Sequence, residues 1–171
     1  MAAFLLTGGI LSAQNNVDIS QFKPLAVTSG SQASISQDFN SETIRKLSLP
    51  KGFSIDPSGG ESGTGALFYH KTDPKAYRIA GYRIKLSPEF KYRATVKYKA
   101  ENIKNAPGAT SRLFCVEFTK KGKHAGGSYF YKKIEENKWA EIILEFQPPA
   151  EFDQTIVGFY LCKNATGKVW W

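Results

Sequence analysis

Few residues in this sequence are equipped for catalysis. His70 and His124 are its only histidines, and His124 stands in KKGKHAGG (residues 120–127), whose composition predicts a hairpin turn. A Ser-His-Asp relay needs its serine on a strand–turn–helix elbow, and no segment offers that context. Both histidines therefore read as exposed loop residues. Any two of the 15 acidic residues could flank a glycosidic bond, but no spacing selects a pair. The sequence has no zinc motif, phosphate loop or dinucleotide fingerprint. A non-enzyme without a cofactor is expected.

Binding chemistry is better supplied. Sugar rings present C–H faces that stack on aromatic rings, and their hydroxyls bond to planar polar groups. Tyr129, Tyr131 and Tyr160 can stack, while Arg93, Thr95, Lys97 and Glu117 can make polar contacts. The plainer alternative is a solvated face with Tyr129 and Tyr131 packed under a loop. Lys and Arg total 23, giving a net charge of +8. A face of this kind would favour an acidic or sulfated glycan over a neutral one, with an attraction that weakens in salt. Basic residues interleaved with aromatics also suit single-stranded nucleic acid. No nucleic-acid-binding motif is present, however, and that partner is not expected. A basic surface without a specific acidic partner is the remaining alternative.

The elements that must position these residues are short strands. ALFYHK, YRIAGYRIKLSP, KYRATVKYKA, SRLFCVEFT, GSYFYKKI, WAEIILEFQPP, TIVGFYLCKN and KVWW follow one another, separated by Gly, Pro and Asn. In KYRATVKYKA, Tyr92, Ala94, Val96, Tyr98 and Ala100 alternate with Lys91, Arg93, Thr95, Lys97 and Lys99, which gives one apolar and one basic face. Phe114, Val116 and Phe118 oppose Leu113, Cys115, Glu117 and Thr119 in the same way. Val157, Phe159 and Leu161 likewise oppose Gly158, Tyr160 and Cys162. This pattern predicts an all-β, antiparallel two-sheet sandwich. DPSGGESGTG (residues 56–65) is a loop, Leu25–Val27 and Ile35 suggest a first edge strand, and SETIRKL is at most one short helix. In the last strand Val169 and Trp171 should face the core, with Gly167 closing a turn before them and Lys168 and Trp170 on the other face.

The first sixteen residues are uncharged and apolar from Ala2 to Leu11, like the core of a signal peptide with a small-residue cleavage site near Ala13. The expectation is a signal-peptide-like segment over 1–13 and one domain over 14–171, in a protein that is secreted, periplasmic or at the cell surface. No run is long enough to insert in a membrane. Asn-Ala-Thr at 164–166 matches a glycosylation sequon, which in a turn reads as chance.

The order of these segments resembles the jelly-roll carbohydrate-binding modules of the family four and nine type. The resemblance is carried by a Gly-rich loop before GALFYH, then IKLSPEFKYRATVKYKAENI, RLFCVEFTKKGK, Trp139 with AEIILEFQPPAEFDQTIVGFYL, and GKVWW. It covers roughly Phe22 to Trp171 and implies a non-catalytic module of a polysaccharide-active protein, whose ligand is a poly- or oligosaccharide. It also implies a last strand cut short, with a catalytic domain downstream. Such modules often hold a structural calcium, but the Asp-rich stretch expected beyond the aromatic pair is missing here. Trp139 falls where these modules keep a core residue. The implied strand order makes the Cys115 and Cys162 strands neighbours, so the two sulfurs could form a disulfide; two separate small buried residues are the alternative. A cell-surface adhesion or protein-interaction domain on the same sandwich is the rival function.

Overall fold

The computed structural model describes residues 49–105 and 112–171, together with the backbone of Phe4–Thr7 and Ser34–Gln37. Among these residues the chain forms strands β1 (Phe4–Thr7), β2 (Ser34–Gln37), β3 (Phe53–Asp56), β4 (Ala66–Lys71), β5 (Ile79–Ile84), β6 (Tyr92–Asn105), β7 (Phe114–Lys120), β8 (Lys123–Tyr129), β9 (Trp139–Phe146), β10 (Gln154–Tyr160) and β11 (Ala165–Trp170). They make two antiparallel sheets. Sheet A runs β2-β1-β6-β11-β4-β3, with β9 also paired to β6, and sheet B runs β5-β10-β7-β8. The protein is an all-β, two-sheet antiparallel sandwich consistent with a jelly roll. Most of the 1–13 segment, Leu25–Val27 and SETIRKL lie outside the described residues.

Alternation builds the core. Tyr92, Ala94, Val96, Tyr98 and Ala100 of β6 are all buried and face inward. Opposite them stand Phe114, Val116 and Phe118 of β7 and Val157 and Phe159 of β10. Large rings fill the gap between the sheets. Phe53 stacks on Tyr69 with centroids 3.9 Å apart, and Trp171 meets Phe159 edge-on at 5.8 Å. Trp171 is fully buried, and its backbone exchanges hydrogen bonds with Leu67 at 2.9 and 3.0 Å, continuing the β11–β4 ladder. Lys71 is the one charged side chain among the buried described residues. Its Nζ donates to the carbonyls of Leu161 (3.2 Å) and Cys162 (2.5 Å), tying β4 to the connection after β10. Burial pushes its pKa down.

Several local expectations change. The turn in KKGKHAGG is only Lys121 and Gly122, both with positive φ (50° and 73°) as a two-residue hairpin requires, so His124 already lies in β8. Gly167 does not close a turn. With φ at 143° it sits in a β-bulge between Thr166 and Lys168, where a Cβ would come within 2.6 Å of Ile103. Trp139 is not a core residue. Ile142, Leu144 and Phe146 of β9 point inward, and the odd positions, Trp139 included, point outward.

Candidate functional site

The sequence-nominated residues separate onto the two outer faces of the sandwich. Arg93, Thr95 and Lys97 lie on β6 and face out from sheet A, whereas Glu117, Tyr129 and Tyr160 belong to sheet B and Tyr131 lies two residues past the end of β8. The β6 cations are engaged: Arg93 Nη2 is 2.5 Å from Glu145 Oε1, and Lys97 Nζ is 2.5 Å from Glu61 Oε2. The cross-strand register sets the first pair, because Arg93 stands opposite Glu145 on β9.

Sheet B gathers the rings. Tyr129 aligns with Cys115, and Phe130 turns inward, so Tyr131 returns to the outer face. The Tyr129 and Tyr131 rings meet edge to face at 6.0 Å. The Arg112 guanidinium carbon lies 4.7 Å from the Tyr131 centroid and 5.4 Å from that of Tyr129, so one cation orders both rings. Tyr129 Oη donates to Glu117 Oε1 at 3.1 Å. Burial and then the Glu117 charge hold the Tyr129 phenol protonated well above its usual range.

Tyr160 shares this face, yet it is only 1% exposed, which corrects its expected role as a stacking platform. Tyr77, from the segment before β5, packs against it edge-on at 5.9 Å and is itself 54% exposed. Burial, then Glu117 and Cys115, raise the Tyr77 pKa. Beside these rings Gly158 of β10 pairs with Gly81 of β5 on one side and Cys115 of β7 on the other. A Cβ on Gly158 would come within 2.8 Å of Cys115 Sγ and 2.9 Å of Ile79, so this position must be glycine. The result is a closely packed patch, with Cys115 and Ile79 filling the space over Gly158 and Tyr77, Tyr131 and the Arg112–Tyr129–Glu117 group around it.

Tyr77 and Arg112 escaped the sequence reading because both precede their strands, where alternation carries no information. Counted back from Phe114, Arg112 even has inward parity.

No disulfide joins Cys115 and Cys162. The neighbouring of β7 and β10 is as the resemblance implied, but Cys115 pairs with Gly158, four positions from Cys162. That offset is roughly 13 Å along a strand, well beyond the Cα separation of about 7 Å that a bridge tolerates. Burial also raises the Cys115 pKa far above neutrality, so its thiol is not a nucleophile at neutral pH. Among the described residues no three His, Cys, Asp or Glu side chains gather into a group that could hold a metal ion. Elsewhere, a recess of about 410 Å³ opens at one end of the sandwich, lined by Lys85, Leu86, Lys120, Glu151, Phe152 and Asp153. Among the described residues no helix is long and apolar enough to cross a membrane.

No protein-family model and no curated protein matches the chain. Solved structures with a similar chain trace include the family 22 carbohydrate-binding and family 10 hydrolase modules of Clostridium thermocellum xylanase 10B, complexed with xylohexaose. That match has 13% identity and a TM-score of 0.49 over 72% of this chain, and it spans 24% of the xylanase chain. The C-terminal family 22 module of the same enzyme matches with 15% identity and a TM-score of 0.46, over 72% of this chain and 78% of its own. A family 16 carbohydrate-binding module matches with 17% identity and a TM-score of 0.41, over 70% and 80%. These three modules belong to families 16 and 22.

Proposed function

We propose that this protein is a non-catalytic carbohydrate-binding module, and that it takes a polysaccharide chain across the outer face of sheet B. One observation carries the reading: exposed Tyr77 and Tyr131 stand on one face, Tyr77 against Tyr160 and Tyr131 with Tyr129 under Arg112, beside a carboxylate, Glu117, that Tyr129 holds. Rings stack on the C–H faces of sugars, and the guanidinium and carboxylate donate to and accept from hydroxyls. Because the contacts among these groups exist in the free protein, little ordering cost remains for binding. Tyr77, Arg112, Glu117, Tyr129 and Tyr131 are the proposed contact residues, and Tyr160 supports Tyr77 from below.

The reading extends to a secreted protein whose module accompanies a polysaccharide-active domain. Any preference for acidic glycans comes from the net charge of +8 acting at long range. Arg93 and Lys97 do not supply it, since each already faces a carboxylate. A glycan array read at low and high salt tests the function. Binding to one glycan class is expected, with any acidic preference fading in high salt. Silence across neutral and acidic glycans would defeat the reading and favour an adhesion or protein-interaction domain.

A further inference from the structure

The outer face of sheet A carries a second aromatic feature, on the side of the sandwich away from the tyrosines. Strand registers align Ser54, Phe68, Trp170, Lys99 and Trp139 in one row across β3, β4, β11, β6 and β9. Their sequence neighbours Phe53, Leu67, Val169 and Tyr98 are core, so alternation turns the row outward. Trp170 and Trp139 lie on strands two apart, which separates their backbones by about 10 Å. An extended β-1,4-linked chain advances by a similar distance over two pyranose rings, so alternate rings of one chain would meet the two indoles.

Trp170 is already held in place. Its indole N–H donates to Asp56 Oδ2 at 2.9 Å, and its ring packs on Phe68 with centroids 4.7 Å apart. Lys99 Nζ lies 5.2 Å from the indole centroid, so Phe68 and Lys99 flank the ring and a sugar would meet its remaining exposed part beside the ammonium, which can donate to a hydroxyl. Charges beside the row come in balanced pairs, Lys97 with Glu61 and Lys99 with Glu101. Donors and acceptors in equal supply suit a neutral, hydroxyl-rich ligand. A polyanion would have to compete with Glu61 and Glu101 for each lysine.

We propose that this row is a second glycan-contacting surface, taking a neutral pyranose chain across β11, β6 and β9, so that one molecule can hold two chains on opposite faces. The proposal rests on the carbohydrate reading above for its ligand class, but not for its site.

The distribution of tryptophans makes a selective test available. Trp139, Trp170 and Trp171 are the only three, Trp171 is fully buried, and the sheet B cluster holds tyrosines alone. Tryptophan emission therefore reports the sheet A row. Wild-type protein is titrated with xylohexaose, cellohexaose and a polygalacturonate oligomer, following both heat and acrylamide quenching of the indoles. A neutral hexasaccharide should bind at two sites and reduce quenching about twofold, since it covers the solvent-facing parts of both partly buried indoles. That protection should survive Tyr131→Ala and disappear in Trp139→Ala, a change that leaves the Trp170 contacts in place. Binding heat with unchanged quenching would overturn the second surface and leave the sheet B site standing. Protection by polygalacturonate alone would overturn the neutral ligand. No heat with any of the three probes would remove both readings.

Discussion

The outer faces of β6 and β7 follow the same alternation and reach opposite electrostatic ends. On β6, Arg93 stands across from Glu145, and Lys97 reaches Glu61 of the loop after β3. On β7, Glu117 stands between Ile156 of β10 and Gly127 of β8. Neither neighbour offers a cation, and the missing side chain at Gly127 leaves room for the Tyr129 hydroxyl. That hydroxyl lies 2.9 Å from where a Cβ would be and bonds the carboxylate instead. A polar residue on an outward face is thus committed or available according to the groups within its reach, across the ladder for Arg93 and in a loop for Lys97. That is why Arg93 and Lys97 are engaged with carboxylates while the groups of sheet B can turn toward a ligand.

The largest effect should come from the core beneath both faces: Trp171→Ala removes a fully buried ring and should cost about 3–5 kcal/mol, read as a lowered denaturation midpoint. Alkaline pH comes next. Tyr69, Tyr77, Tyr82, Tyr92, Tyr98, Tyr129 and Tyr160 all have raised pKa values, chiefly through burial. In the unfolded chain they ionise near pH 10 while the folded protein keeps their protons. Their contribution is therefore intact below about pH 10 and is lost as pH rises further. Lys71, lowered by burial, acts in the opposite sense between its depressed pKa and 10.5, but it is one group against seven. Thermal melts from pH 8 to 11.5 should show Tm holding and then falling steeply; a flat profile would show these phenols to be solvated.

Arg112→Ala should come third. Without the cation that orders Tyr129 and Tyr131, glycan affinity should drop roughly tenfold, with a stability change of about 1 kcal/mol or less. Smallest of all should be Arg93→Ala and Lys97→Ala, each within about 0.5 kcal/mol of wild type, because exposed ion pairs contribute little. Their affinity for a sheet B ligand should stay within about twofold of wild type. A large affinity loss in either would move the site to sheet A.

Much of the fold was legible because a period of two assigns faces without further information. The β6 alternation placed Tyr92 through Ala100 inward, and the same logic put Trp171 in the core and Trp170 outside. Applied to WAEIILEF, it turns Trp139 outward as well, against the core position that the resemblance implies. Alternation names a face, however, and not a sheet. Arg93 and Glu117 have identical outward patterns, and only long-range pairing reveals that they lie on opposite sides of the sandwich. Register is equally hidden. Neighbouring strands were enough to suggest a Cys115–Cys162 bridge, yet a four-residue offset between Gly158 and Cys162 excludes it. Tyr77 and Arg112 stand outside regular strands, where position depends on the packing of connections rather than on any local period.

The central claim is that glycan binds on sheet B through rings that the free protein already holds in position. Isothermal titration of the wild type and of the Tyr77→Ala/Tyr131→Ala double variant, with the best glycan from the array, tests it most directly. Affinity for the sheet B site should fall by at least about thirtyfold while Tm stays within a few degrees. Unchanged affinity in a folded double variant would contradict it, and would move the site to the recess beside Phe152 or to the opposite face.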